Sequence, residues 1–270
     1  MADRIYYERY TNVYRFMDTI ESRPNNSQFG KDSHKNGEWY GTETWAEAVE
    51  QFSNGIPEKA ERLKKSLEAF KAKSNISSTK SRPTNYYYGY TPNIPAAIIG
   101  LPKSMRRVEK TPQKIKAISI LYDMTQNCGT SANTLMRSGE TVLQLVYALE
   151  CRGYRVALDG LVFNGKCDSR AFILSINFKE WKQNLDIMKL SFPITSPAMF
   201  RRFGFFWAET LPDVKSPVSG YGSHMSKTEA IRELGKVGVD TKHSYLISVD
   251  DCENADFDPL KMASNLGITV

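Results

Sequence analysis

Ala117-Ile118-Ser119-Ile120-Leu121-Tyr122-Asp123 decides the reading of this chain. A nearly continuous apolar run ending in an aspartate, without polar alternation, fits a strand buried on both faces of a parallel or mixed sheet. Downstream, Val142, Leu145, Val146 and Leu149 recur at helical spacing within residues 134–152, and Gly153 supplies the stop. Tyr154–Phe163 and Arg170–Phe178 read as two strands turned through Asn164-Gly165, a strong short hairpin signal. Residues 184–209 have helical character broken near Pro193 and Pro197, and 210–224 is a Pro/Gly/Ser loop. Ser226-x-x-Glu229 has the form of a capping box opening a helix through Ala230, Ile231 and Leu234. His243–Val249 reads as a strand ending in Asp250-Asp251, and Asp258-Pro259 opens a last helix that stops at Gly267. This order predicts an α/β core over 117–270, with a mixed, mainly parallel sheet flanked by helices.

Upstream of that core the pattern is helical. Tyr6, Tyr10, Val13, Phe16 and Met17 predict an amphipathic helical opening over 4–20, followed by a polar loop over 22–38. Thr44-x-x-Glu47 marks a helix start, with Trp45, Ala48, Val49 and Phe52 on one face and Asn54-Gly55 at its end. Pro57 opens a second helix over 57–73 with Ala60, Leu63, Leu67 and Phe70 on one stripe and lysines opposite. Residues 74–116 are too rich in Ser, Thr, Asn and Pro for regular structure and read as a basic connecting region. The expected organisation is a helical N-terminal part (1–73), that connector (74–116) and the α/β core (117–270).

Composition narrows the function classes. The 270 residues are 41% hydrophobic and 24% charged, enough apolar material for a real core rather than a disordered tail. No apolar run approaches the ~20 residues of a spanning helix. The first residues carry no secretory h-region, so a soluble protein is expected, one that stays where it is made. Cys128, Cys151, Cys167 and Cys252 form no C-x-x-C pair, and His34, His224 and His243 offer no zinc-site spacing. The cysteines therefore read as packed hydrophobes in a reducing compartment. The net charge of +6 is concentrated: residues 59–116 hold 14 basic and 3 acidic residues. A localised basic block points to a polyanionic partner.

Within that block, Lys80 and Arg82 precede Tyr86-Tyr87-Tyr88-Gly89-Tyr90, and Lys103, Arg106, Arg107, Lys110 and Lys114 follow. Cations can track a phosphate backbone, while aromatic rings offer faces on which unpaired bases stack. Tyr86, Tyr88 and Tyr90 are the expected stackers, and a solvated lysine-rich face with the tyrosines folded inward is the alternative. Arg201-Arg202, inside an aromatic segment, reads either as a further phosphate site or as a partner for Glu209 and the acidic C-terminal part.

A second candidate lies at the carboxyl end of the buried strand, where ligands of open α/β sheets collect. Asp123, Thr125 and Asn127 offer hard oxygen ligands for Mg²⁺ or Mn²⁺, or else Asp123 and Asn127 cap the next helix and bind nothing. With Asp250-Asp251 nearby, a two-metal nuclease is conceivable. No G-x-S-x-G, P-loop, H-E-x-x-H or G-x-G-x-x-G occurs, however, and a non-enzymatic protein is expected. The D-x-T-x-N segment, with residues 138–158 after it, resembles a von Willebrand A-type domain, in which a D-x-S-x-S loop closes the first strand. Thr125 and Asn127 stand where that family has serines. The resemblance implies a cation-dependent protein-interaction module.

WYGTETWAEA (39–48), GLPKSMRR (100–107), the DMTQN segment (123–127) and SPAMFRRFGF (196–205) together resemble a second family. This is the group in N4-like phages that binds single-stranded DNA as cofactor to the phage RNA polymerase. That resemblance implies single-stranded DNA and a phage RNA polymerase as partners and the host cytoplasm as location. From the residues themselves, no membrane contact and no resident cofactor apart from Mg²⁺ at Asp123 are expected, and self-association stays open.

Overall fold

The computed structural model describes residues 4–25, 31, 37–74, 84–107, 116–167, 170–211 and 225–268. The chain opens with strand β1 (Arg4–Tyr10) and helix α1 (Val13–Ser22), then α2 (Gly37–Tyr40), α3 (Trp45–Asn54) and α4 (Pro57–Lys73). A small unit follows: β2 (Thr84–Tyr86), β3 (Thr91–Pro92), α5 (Ile94–Ile98) and β4 (Met105–Arg107). The core continues with β5 (Ala117–Asp123), α6 (Ala132–Cys151), β6 (Arg155–Cys167), β7 (Arg170–Lys179) and α7 (Ile187–Ser191). A π-helical segment, Met199–Gly204, runs into α8 (Phe205–Glu209), and α9 (Lys227–Lys236), β8 (Ser244–Ile247), α10 (Val249–Asn254) and α11 (Pro259–Asn265) complete the order.

β5 lies where its apolar run requires, inside a five-stranded sheet of order β1-β7-β6-β5-β8. It pairs in parallel with both β6 and β8, β1 pairs in parallel with β7, and β6–β7 is antiparallel. The fold is therefore mixed α/β with a mainly parallel sheet flanked by helices. One face carries Ile118, Ile120, Tyr122, Leu158, Phe172 and Leu174 and packs against α1, α3, α6 and the aromatic segment 192–208. The other carries Leu121, Leu161, Phe163 and Ile173 under Ala230 and Leu234 of α9. Burial on both faces explains why β5 shows no polar alternation.

Local signals place the helix ends. Thr44 Oγ1 accepts the Glu47 N–H at 3.1 Å, Ser226 Oγ accepts the Glu229 N–H at 3.4 Å, and Asp258 accepts the Leu260 N–H at 2.8 Å. Each cap satisfies a donor the helix cannot, worth about 1 kcal/mol. Gly55 ends α3 at φ 77°, where a Cβ would also run into the Met188 carbonyl.

Five expectations need correction. Residues 4–10 are an edge strand, not the start of a helix, so the N-terminal part is not purely helical. Ile5 and Tyr7 face one side and Tyr6 and Tyr10 the other, so rings on both faces imitate helical spacing. The strand is held by its register with β7, from Arg4↔Arg170 to Tyr10↔Ile176, and by Glu8, which accepts from Arg23 Nη2 at 2.8 Å and Trp207 Nε1 at 2.6 Å. Residues Phe16, Trp45 and Leu63 join the same core as residues of 117–270. The connector is also not irregular throughout: 84–107 contains three strands and a short helix. Asn164-Gly165 lies inside β6, which continues to pair Cys167 with Arg170 past an irregularity in register. The last strand of the core, β8, ends at Ile247, and Asp250 and Asp251 stand in the first turn of α10, where Ser248 and Asp251 form a capping box. Finally, 184–209 is helical only in α7, the π-helical segment and α8.

Candidate functional site

The small unit is an antiparallel sheet of order β2-β4-β3. β4 lies in the middle, with Asn85↔Arg106 and Tyr86↔Met105 on one side and Thr91↔Arg106 and Pro92↔Met105 on the other. Pro92 is tolerated because β3 is an edge strand. Gly89 lets the chain turn tightly onto β4, since a Cβ there would meet the Arg106 carbonyl. That carbonyl instead accepts the Tyr90 N–H at 3.1 Å. Pro95 sits in the first turn of α5, and Gly100 leaves it at φ 72°.

This framework displays rings and cations together. Tyr87, Tyr88 and Tyr90 are 65%, 64% and 94% exposed. Arg107 lies 4.8 Å from the Tyr88 ring centroid and 5.7 Å from that of Tyr86, and its Nη1 donates to the Tyr88 hydroxyl at 2.6 Å. Lys103 Nζ stands 5.6 Å over Tyr87. Exposed cation–π contacts are worth only about 0.5–1 kcal/mol each, so they orient the rings without burying them. Seven of the twelve exposed large apolar or aromatic side chains among the described residues lie between Tyr87 and Leu101. Such concentration marks an interaction surface rather than scattered surface residues.

Of the residues singled out from the sequence, Tyr86, Tyr88, Tyr90, Lys103, Arg106 and Arg107 come together on this unit. Lys80, Arg82, Lys110 and Lys114 lie outside the described residues. Tyr87, not among the expected stackers, belongs with the site too: it lies just after β2 ends at Tyr86, with Lys103 over its ring.

Arg201 and Arg202 do not belong to it. Both are buried. Arg201 donates Nη1 to the Trp39 carbonyl at 2.7 Å and Nη2 to the Thr130 carbonyl at 3.0 Å. Arg202 donates Nε to Thr42 Oγ1 and Nη2 to the Thr42 carbonyl, each at 2.7 Å, and lies 4.2 Å over the Tyr40 ring. Burial pulls both guanidinium groups below their usual range, and Tyr40, Glu43 and Glu47 oppose this at Arg202. They clamp residues 39–43 and the 127–130 loop to the π-helical segment.

The carboxylate edge also departs from expectation. Asp123 is buried and its Oδ1 accepts the Thr125 N–H at 2.8 Å. Thr125 Oγ1 donates to the Phe163 carbonyl at 3.0 Å and accepts the Phe163 N–H at 2.8 Å. Asn127 Oδ1 turns onto the Cys128 N–H, and Ser131, not Asp123 or Asn127, caps α6. The D-x-T-x-N segment thus stitches the exit of β5 to β6. Asp123 does line a cavity of about 390 Å³ with Asp250, Asp251 and Lys227. Burial, reinforced by Asp250 and Asp251 and opposed by the Thr125 hydrogen bonds, pushes its carboxyl up to about 7. Among the described residues no group of three His, Cys, Asp or Glu side chains could hold a metal ion, and no helix is long and apolar enough to cross a membrane.

Fold and site define a mixed-sheet α/β protein with a basic, aromatic antiparallel unit inserted before β5. The chain belongs to the family described as Domain of unknown function (DUF7192), which it matches over residues 2–269. No curated protein matches the chain, and no solved structure does.

Proposed function

We propose that this protein binds single-stranded nucleic acid through the β2-β4-β3 unit, without catalysing a reaction on it. The observation that supports the reading is the row of exposed tyrosines beside Lys103, Arg106 and Arg107. Rings held at the surface by cations, with their faces open, suit unpaired bases, and the same cations suit the phosphates between them. The finer reading rests on the sequence resemblance. It makes the ligand single-stranded DNA, the protein partner an RNA polymerase of an N4-like phage, and the location the host cytoplasm. The cation-dependent interaction module is less well supported, since Thr125 Oγ1 is engaged on both sides by Phe163.

The test is binding of labelled single-stranded and duplex oligonucleotides of equal length across a salt series. Tighter binding of single strands, weakening steeply with salt, supports the proposal. Equal affinity for both forms would reduce the interaction to general attraction by the basic block.

A further inference from the structure

The second face of the central sheet is covered at one end by α9 and opens at the other into a cavity of about 660 Å³. Its floor comes from alternate residues of all five strands, among them Tyr7, Ser119, Ala157, Asp159, Asn177 and Ser244. The opposite face at the same level carries Ile118, Leu158 and Ile176. Small and polar residues therefore leave space where large apolar ones fill it on the other side.

The electrostatics of this space run against the rest of the chain. Its charged lining is Asp159, Glu180 and Asp240 against Arg9, with His243 held on Asp240 at 2.8 Å. A cavity with an excess of carboxylates sits in a protein of net charge +6. Asp159 is only 5% exposed. Its Oδ1 accepts Asn177 Nδ2 at 2.9 Å and stands 3.9 Å from the largely exposed Arg9 guanidinium. Its Oδ2 accepts no hydrogen bond from any described residue. Burial raises the Asp159 carboxyl above its usual range, against the opposing Asn177 hydrogen bond and Arg9 charge. A buried carboxylate so placed gains from a cationic donor. Trp181 lines the cavity as well, its ring fixed by an Nε1–H donated to the Ile118 carbonyl at 3.2 Å, and Leu121, Leu161 and Val237 add apolar surface.

We propose that this cavity binds a small aliphatic polyamine, with one ammonium group donating to Asp159 and a second neutralised by Glu180 and Asp240. The methylene chain between the charges suits the interleaved apolar lining, and the Trp181 face offers a cation–π surface. A volume within the usual 300–1,000 Å³ range of ligand sites accommodates such a molecule. The inference is independent of nucleic-acid binding, because its residues lie on the central sheet and not on the β2-β4-β3 unit.

Calorimetric titration of the full chain with spermidine and putrescine, beside n-butylamine, tests it. Saturable one-site binding of spermidine is expected, about tenfold or more weaker in Asp159→Asn and Glu180→Gln and unchanged in Arg106→Ala. A spermidine-dependent change in tryptophan emission should disappear in Trp181→Phe. Glu180 lies at the rim, so its variant keeps the test sound should Asp159→Asn fold poorly. Absence of saturable binding at millimolar spermidine overturns the proposal. So does equal affinity for wild type and both carboxylate variants, or binding of n-butylamine as tight as that of spermidine.

Discussion

Arg107 lies over the ring of Tyr88, its guanidinium 4.8 Å from the centroid, while its Nη1 donates to the same residue's hydroxyl at 2.6 Å. The two contacts fix the ring plane while the side chain stays 64% exposed. An aromatic face held in advance loses less entropy when a base stacks on it.

Tyr88→Ala and Tyr90→Ala should each weaken single-strand binding by about 1–3 kcal/mol, the usual cost of losing one stacked base. Tyr88→Phe keeps the ring and loses only the hydroxyl contact with Arg107, so its effect should be clearly smaller. Fluorescence anisotropy with a labelled oligonucleotide reads both. Full affinity in Tyr88→Ala would remove this ring from the interface.

Arg106→Ala combined with Lys103→Ala should weaken binding to all sequences alike. Each lost phosphate contact flattens the dependence of log affinity on log salt by about 0.7 on single strands. An unchanged slope in the folded double variant would place the phosphates elsewhere.

Arg202→Ala should act on stability and not on the interface. It strands Thr42 Oγ1 and the Thr42 and Glu43 carbonyls, which the guanidinium now satisfies. A buried polar group left unpaired costs about 1–3 kcal/mol. The urea midpoint should therefore fall sharply, while nucleic-acid affinity measured under folding conditions stays at the wild-type value. Loss of affinity in folded Arg202→Ala would restore this arginine to the site.

Asp123 should make stability fall as pH rises. Its carboxyl titrates at about 7 in the folded protein against an ordinary value of 3.8, so between those values the native state holds the proton more often than the unfolded chain. Stability from this group is greatest below pH 4, declines through the interval, and levels off above pH 7. Asp123→Asn keeps an acceptor for the Thr125 N–H and removes the titration. Thermal melts at pH 5 and pH 8 should differ less in the variant than in wild type. Identical pH dependence in the two proteins would show that Asp123 titrates normally.

Much of this architecture was legible in the chain. The apolar run of β5, the stripe of α6, Pro57 opening α4 and the caps Thr44, Ser226 and Asp258 are local signals, and each marks the element that forms. The basic, tyrosine-rich character of 80–116 was equally plain from composition, whereas the exposure of Tyr87, Tyr88 and Tyr90 was not. Asn164-Gly165 misled for a physical reason: β6 still pairs with β7 two residues past that dipeptide, at Cys167↔Arg170, and ladder pairing outweighs turn propensity.

The sequence by itself determined which stretches bury apolar surface, where several helices start, and where positive charge gathers, since these depend on spacing and composition. Only the tertiary structure decided that Arg4–Tyr10 is a strand, because its hydrogen-bond partners are residues 170–176 of β7. It alone separated Arg106 and Arg107 from Arg201 and Arg202: both are arginine pairs, but the second pair meets the carbonyls of residues 39–43 and 127–130 far away in the chain. It alone engaged Thr125 with Phe163, and it alone assembled an acidic cavity from residues scattered between Tyr7 and Ser244. Burial and hydrogen-bond satisfaction are properties of neighbours in space, and a charge or hydroxyl takes its role from the partners that folding brings to it.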